Sequence, residues 1–192
     1  MVNGLLNHGR PNTFLVHDGK LHLFANDGQS LAKLFALNDL SGSVTELAQV
    51  GAPLLSSTNA NFVASGDNLY FTVQEGANYT LYVVNTNGAT SLHTAPISVL
   101  FGYTLISMPD GGLIFPGFDA DAGYEPWYSD GTTNGTYRVK DILLGAATGL
   151  GDPFPLFTGF AFGGKAYFLA YDGAPEFNFG LATAPKRVPP FL

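Results

Sequence analysis

The densest run of metal-ligating oxygens in the chain is Asp119-Ala-Asp121-Ala-Gly123-Tyr-Glu125. Carboxylates at alternating positions of a bent loop suit calcium, with Asp119 and Asp121 as side-chain ligands and the Gly123 carbonyl as a third donor. A third side-chain ligand and the usual bidentate glutamate are missing, so a solvated hairpin loop competes with the calcium site. No cofactor is the primary expectation, and calcium is the alternative. Tyr124, Trp127 and Tyr128 lie beside Asp130 and Asn134 in the sequence, with Tyr171 a more distant candidate. An aromatic plate next to polar acceptors could hold a sugar ring, although aromatics in strands more commonly fill a core. Gly159-Phe-Ala-Phe-Gly-Gly164-Lys165-Ala166 has phosphate-loop spacing, but alanine stands where a hydroxyl would hold magnesium. Lys165 also opens a strand pattern rather than the helix such a loop needs, so the run reads as a hairpin turn. Neither a G-x-S-x-G elbow nor an H-E-x-x-H pair occurs. The four histidines, His8, His17, His22 and His93, are scattered, and no spacing selects a catalytic pair from the 15 acidic residues. Asn78-Tyr-Thr80 and Asn134-Gly-Thr136 fit the N-glycosylation pattern, which matters only in a eukaryotic secretory host.

Composition narrows what could position these residues. A chain of 192 residues fits one domain, 1–192, and is long enough to bury a core without disulfide or metal. Eight basic against 15 acidic residues give a net charge of −7, which argues against nucleic acid as a partner. Charged residues are 12% of the chain, about half the usual share, while 46% are hydrophobic and 14% aromatic, which excludes disorder. With 24 glycines and 12 prolines, turns must be frequent. The absence of cysteine removes disulfides, zinc–thiolate sites and thiol nucleophiles. The opening Met1-Val-Asn-Gly-Leu-Leu-Asn-His8 shows no basic stretch followed by an apolar one, so no secretion signal is read there. No apolar run approaches the roughly 20 residues of a membrane helix, and membrane insertion is not expected.

The chain repeats itself. His17–Gly28, Ser65–Gly76, Pro109–Asp119 and Phe162–Gly173 align, with Leu21, Leu69, Leu113 and Ala166 equivalent and spaced 48, 44 and 53 residues apart. Each unit reads as an apolar strand, a Gly/Asp hairpin turn, a second strand, an acidic turn, and then a third and a fourth strand. The approximate units are 12–51, 60–95, 103–145 and 158–192, the last of them closing on a strand near Arg187-Val188. Four short antiparallel strands per unit is the pitch of a β-propeller blade. The fold expected is all-β, a small propeller of four antiparallel four-stranded blades, or else part of a larger ring. Closure must be provided by residues 1–12 or by Pro185–Leu192, because an open ring leaves sheet edges exposed. Ser30–Leu40 dissents, with Leu31, Leu34, Phe35 and Leu37 at helical spacing. The repeat nevertheless predicts a strand at Leu34-Phe35.

The third unit contains Tyr124-Glu-Pro-Trp-Tyr-Ser-Asp-Gly-Thr-Thr-Asn-Gly-Thr-Tyr-Arg-Val-Lys-Asp-Ile142. This string resembles a repeat of large bacterial secreted or surface proteins, E-L-W-x-(S/T)-D-G-T-x-x-G-T-x-x-V-K-D-I, with Pro126 in place of leucine. The resemblance implies a β-propeller and an extracellular or cell-surface setting, and carries over no catalytic residue. The string's expected job is architectural, with Glu125 and Trp127 on a strand, Asp130-Gly-Thr as the turn, and Val139 and Ile142 re-entering the core.

These features together suggest a non-enzymatic extracellular propeller that binds a protein partner or copies of itself, with residues 116–124 and 143–158 as the longest loops to present. One alternative is a lectin with Tyr124, Trp127, Tyr128 and Asp130 at the glycan and Asp119, Asp121 and Gly123 at calcium. Another is a hydrolase or lyase whose acids, Asp18, Asp67 and Asp110 among them, converge at a central channel.

Overall fold

The computed structural model describes residues 14–26, 32–38, 42–50, 62–75, 78–85, 90–97, 105–145, 150, 157–173 and 178–183. These residues form four antiparallel sheets, and no helix occurs among them. The first sheet runs β1 (Phe14–His17), β2 (Lys20–Asn26), β3 (Ala32–Leu37) and β4 (Val44–Val50), and the second β5 (Phe62–Ser65), β6 (Asn68–Glu75), β7 (Asn78–Asn85) and β8 (Thr90–Ile97). The third runs β9 (Ile106–Ser107), β10 (Leu113–Asp119), β11 (Gly123–Ser129) and β12 (Thr136–Arg138). The fourth has β13 (Gly159–Phe162), β14 (Lys165–Ala170) and β15 (Asn178–Thr183). Strands follow one another in sequence order within every sheet. Residues 1–12, the Asp27-Gly28 turn and the strand expected near Arg187-Val188 lie outside the described residues.

Turn chemistry fixes the register. Asp18 and Gly19 both take positive φ, 49° and 67°, and join His17 to Lys20 in a two-residue hairpin. Gly163 and Gly164, at 58° and 74°, do the same between Phe162 and Lys165, so the phosphate-loop look-alike is a hairpin that leads into a strand. The segment with helical spacing is β3, paired on both sides by β2 and β4, with a register shift between Leu34 and Phe35. Pairing to two neighbours satisfies its backbone along its whole length, and this overrides local helical preference.

The sheets stack face to face in chain order. On β6 the side chains alternate: Leu69 and Phe71 join Leu34 of the first sheet, while Tyr70 joins Leu113 and Phe115 of the third. The third sheet is packed on both faces, and its far side meets Ala166 and Phe168 of the fourth. The opening strands also follow one another, with β1 beside β5, β5 beside β9 and β9 beside β13. At the second of these approaches backbone meets backbone: a Cβ added to Gly66 would stand 2.9 Å from the Gly111 Cα, so only glycine fits.

Candidate functional site

The structure separates the aromatic cluster read from the sequence. Strand alternation along β11 puts Tyr124 and Tyr128 on one face and Trp127 on the other. Tyr124 and Trp127 are half-buried against the core, Tyr124 with its ring 4.9 Å from Phe118. Tyr128 is buried, and its hydroxyl donates to Asp110 Oδ2 at 3.0 Å. Asp130 serves its own turn: its Oδ1 accepts from the Thr132 amide at 2.9 Å and the Thr132 hydroxyl at 2.7 Å. Two glycines make room for the rings, since a Cβ on Gly112 would fall 2.4 Å from the Tyr128 hydroxyl and one on Gly117 2.5 Å from Trp127 Cδ1.

Asp119, Asp121 and Gly123 form the β10–β11 hairpin. Asp119 Oδ1 accepts from the amides of Asp121 and Ala122 at 2.9 and 2.8 Å, and Oδ2 is bonded to Arg138. Asp121 is exposed, and Gly123 takes the φ of +68° that the turn requires. Among the described residues no group of three or more His, Asp or Glu side chains is placed to hold a metal ion.

Glu125 is fully buried, at 0% exposure. Its Oε2 accepts from the Ile142 amide at 3.1 Å and its Oε1 from the Leu143 amide at 3.3 Å, while Val139 N–H donates to the Pro126 carbonyl at 2.8 Å. The 124–142 string thus closes on itself, with its acidic residue as the clasp.

A pocket of about 230 Å³ opens between the first and second sheets, at the end where the β1–β2 and β5–β6 turns emerge. Sequence reasoning missed it, although the repeat alignment held the signal. His22 stands where the other units have Tyr70, Ile114 and Tyr167. Between the second and third sheets, Tyr70 fills the equivalent space, its hydroxyl 3.3 Å from the Gly111 carbonyl and 3.4 Å from that of Ser129. Burial there raises the Tyr70 pKa above the ordinary tyrosine value. Ser65, in the position of His17, donates to the Gly112 carbonyl at 2.6 Å and accepts from the Met108 amide at 3.2 Å. With histidines in place of that serine and tyrosine, the space between the first two sheets stays open. The imidazoles lie 6.0 Å apart, and His17 Nε2 and His22 Nδ1 are buried with no hydrogen-bond partner. Asp18 and Asp67 line this pocket, whereas Asp110 is engaged by Tyr128 and by the Gly112 amide.

Both ends of the stack carry uncovered apolar faces. Phe14 and Val16 of β1 are 54% and 70% exposed, and Phe160 and Phe162 of β13 are 59% and 71% exposed.

No protein-family model matches the chain, and no curated protein does. Among solved structures, one from a study of two prolyl endopeptidases is similar over 95% of this chain and 29% of its own, at 15% identity and a TM-score of 0.58. TolB from Acinetobacter baumannii is similar over 85% of this chain and 38% of its own, at 13% identity and a TM-score of 0.43. A puromycin-hydrolyzing peptidase of Mycobacterium tuberculosis is similar over 92% and 28%, at 12% identity and 0.48. The chain spans well under half the length of these structures. The likeness at 0.58 shows the fold: the protein is all-β and β-propeller-like.

Proposed function

We propose that the four sheets are consecutive blades of a β-propeller and that the protein is a non-enzymatic assembly module, extracellular or on the cell surface, whose end blades pair with those of a second copy. The observation that carries this is the repetition of a buried face on an uncovered one. In the second sheet Phe62, Leu69 and Phe71 pack toward the first sheet. Their counterparts in register are Phe14, Leu21 and Leu23, on the side of the first sheet that no other described sheet covers. At the other end, Phe160 and Tyr167, stacked with centroids 5.4 Å apart, repeat Val63 and Tyr70, which pack against the third sheet. The trailing face of one copy is therefore matched to the leading face of another by the same pattern that joins sheets within the chain. Each phenylalanine covered contributes roughly 1.5–3 kcal/mol. Two copies joined at both ends would close a ring of eight blades, within the common range. The surface-protein resemblance of residues 124–142 supports the setting.

Light scattering on the whole chain tests the assembly. The expected mass is twice 20.3 kDa, falling to that of one chain in the Phe160→Asp/Phe162→Asp variant with its circular dichroism unchanged. A wild-type monomer in which Phe14 and Phe160 are protected from labelling would instead favour closure of the four blades on themselves, and overturns the paired ring.

A further inference from the structure

The histidine-lined pocket is a second feature, independent of the end faces. Its lining combines both kinds of hydrogen-bonding chemistry. Asp18 and Asp67 offer acceptors only, the Lys20 ammonium offers donors only, and the imidazoles of His17 and His22 each offer one of either when neutral. His22 lines the pocket and is itself only 6% exposed, and its Nδ1 is buried with no hydrogen-bond partner. Burial in the first place, and the neighbouring His17 in the second, hold its pKa below the ordinary value of 6.5, so the ring is neutral at physiological pH. Asn38 Nδ2 donates one hydrogen bond to the Thr45 hydroxyl at 2.9 Å. Leu47, Leu69 and Val84 give the pocket an apolar wall.

The charges select the ligand class. With His22 neutral, the lining sets two carboxylates beside one ammonium, so an anion faces two like charges and a bare cation faces Lys20. A hydroxyl group both donates and accepts, and several hydroxyls on a carbon ring would serve carboxylate, ammonium and imidazole together while laying C–H faces on the leucines. The volume, about 230 Å³, holds one small ring and not a chain of them. We propose that this pocket binds a single neutral sugar ring, with His17, His22, Asp18, Asp67 and Lys20 as its polar contacts.

Imidazole ring signals of the whole protein, followed by NMR during titration with glucose, galactose, mannose and xylose, test the assignment. At least one sugar is expected to shift the His17 and His22 rings saturably, with a Kd on the order of 1 mM. The His22→Tyr variant, which restores the residue of the second and fourth units, should fill the pocket and abolish binding. Asp67→Asn, in an exposed turn, should keep the fold and weaken binding roughly tenfold. Sodium phosphate and ethanolamine hydrochloride serve as charged probes. The proposal is overturned if no sugar moves the rings, if either charged probe binds in place of the sugars, or if sugar binding survives unchanged in both variants.

Discussion

Replacing Glu125 with alanine removes a carboxyl that holds the end of the 124–142 string against β11. Two backbone amides, Ile142 at 3.1 Å and Leu143 at 3.3 Å, lose their acceptor together. Leaving a buried donor unsatisfied costs about 1–3 kcal/mol. The two amides are only half-buried, which places each near the lower end of that range. The side chain itself is fully enclosed, so its removal also leaves a cavity of one methylene and a carboxyl, a further ~1–2 kcal/mol. The sum is about 3–5 kcal/mol, a large part of the 5–15 kcal/mol by which domains are ordinarily stable. For a chain of this length it corresponds to a fall in Tm of roughly 6–20 °C. Glu125→Gln keeps the shape and one acceptor oxygen, and should lose about half as much. Differential scanning calorimetry of the three proteins at one pH and concentration is the assay. A Glu125→Ala variant melting within about 2 °C of the wild type would show that the string is held by something else and refute the clasp.

Glu46→Ala provides the contrast: its 3.2 Å pair with Lys33 is partly exposed, and removing it should change stability by less than about 1 kcal/mol by the same calorimetry. Gly117→Ala drives a methyl into the single tryptophan, so Trp127 fluorescence should shift along with a loss of about 1–3 kcal/mol, and an unmoved emission maximum would argue against the ring's placement over Gly117. Burial raises the pKa of Tyr70 and of Tyr128, the latter also through its bond to Asp110. Because the folded state keeps these protons and the unfolded state releases them near pH 10, their stabilisation is full below that pH and falls by up to about 1.4 kcal/mol per unit for each tyrosine above it. Tyrosinate absorbance should then rise together with unfolding, and ionisation of all nine tyrosines in the folded protein would contradict the burial. Since both Asp119 oxygens are engaged, excess calcium and EDTA should each leave Tm unchanged, and a calcium-dependent rise lost in Asp121→Asn would show a working metal loop.

The sheets were legible in the sequence because their signals are local and repeated. Gly/Asp hairpins at Asp18-Gly19, Gly66-Asp67 and Gly163-Gly164 set where strands turn, and the aligned Leu21, Leu69, Leu113 and Ala166 set which positions share a face. Even Ala32–Leu37, helical by spacing, yielded to the repeat. The partners of individual side chains were less legible. Tyr124, Trp127, Tyr128 and Asp130 are neighbours in sequence, and the pleat divides them between two faces and a turn. Conversely His17 and Asp67 are fifty residues apart, and only the stacking of the first sheet on the second places them around one pocket.

What distinguishes the first inter-sheet space from the second is a change of side chain within an unchanged backbone register. His22 pairs with Leu15 as Tyr70 pairs with Val63, so the two residues start from equivalent positions and point toward equivalent neighbours. The phenol is long enough to reach the next sheet's carbonyls at Gly111 and Ser129, and it closes the gap it enters. The imidazole is shorter, and its Nδ1, next to the ring's attachment, has no partner. A repeat fold thus makes a site by omission: the shared framework holds the walls at the spacing a tyrosine needs, and a histidine leaves both a volume and an unmet hydrogen bond. His22→Tyr consequently separates stability from binding, because filling the pocket should raise Tm by removing an unsatisfied polar atom and a void while it abolishes ligand uptake. A His22→Tyr variant less stable than the wild type would mean that the walls of the first space are not those of the second.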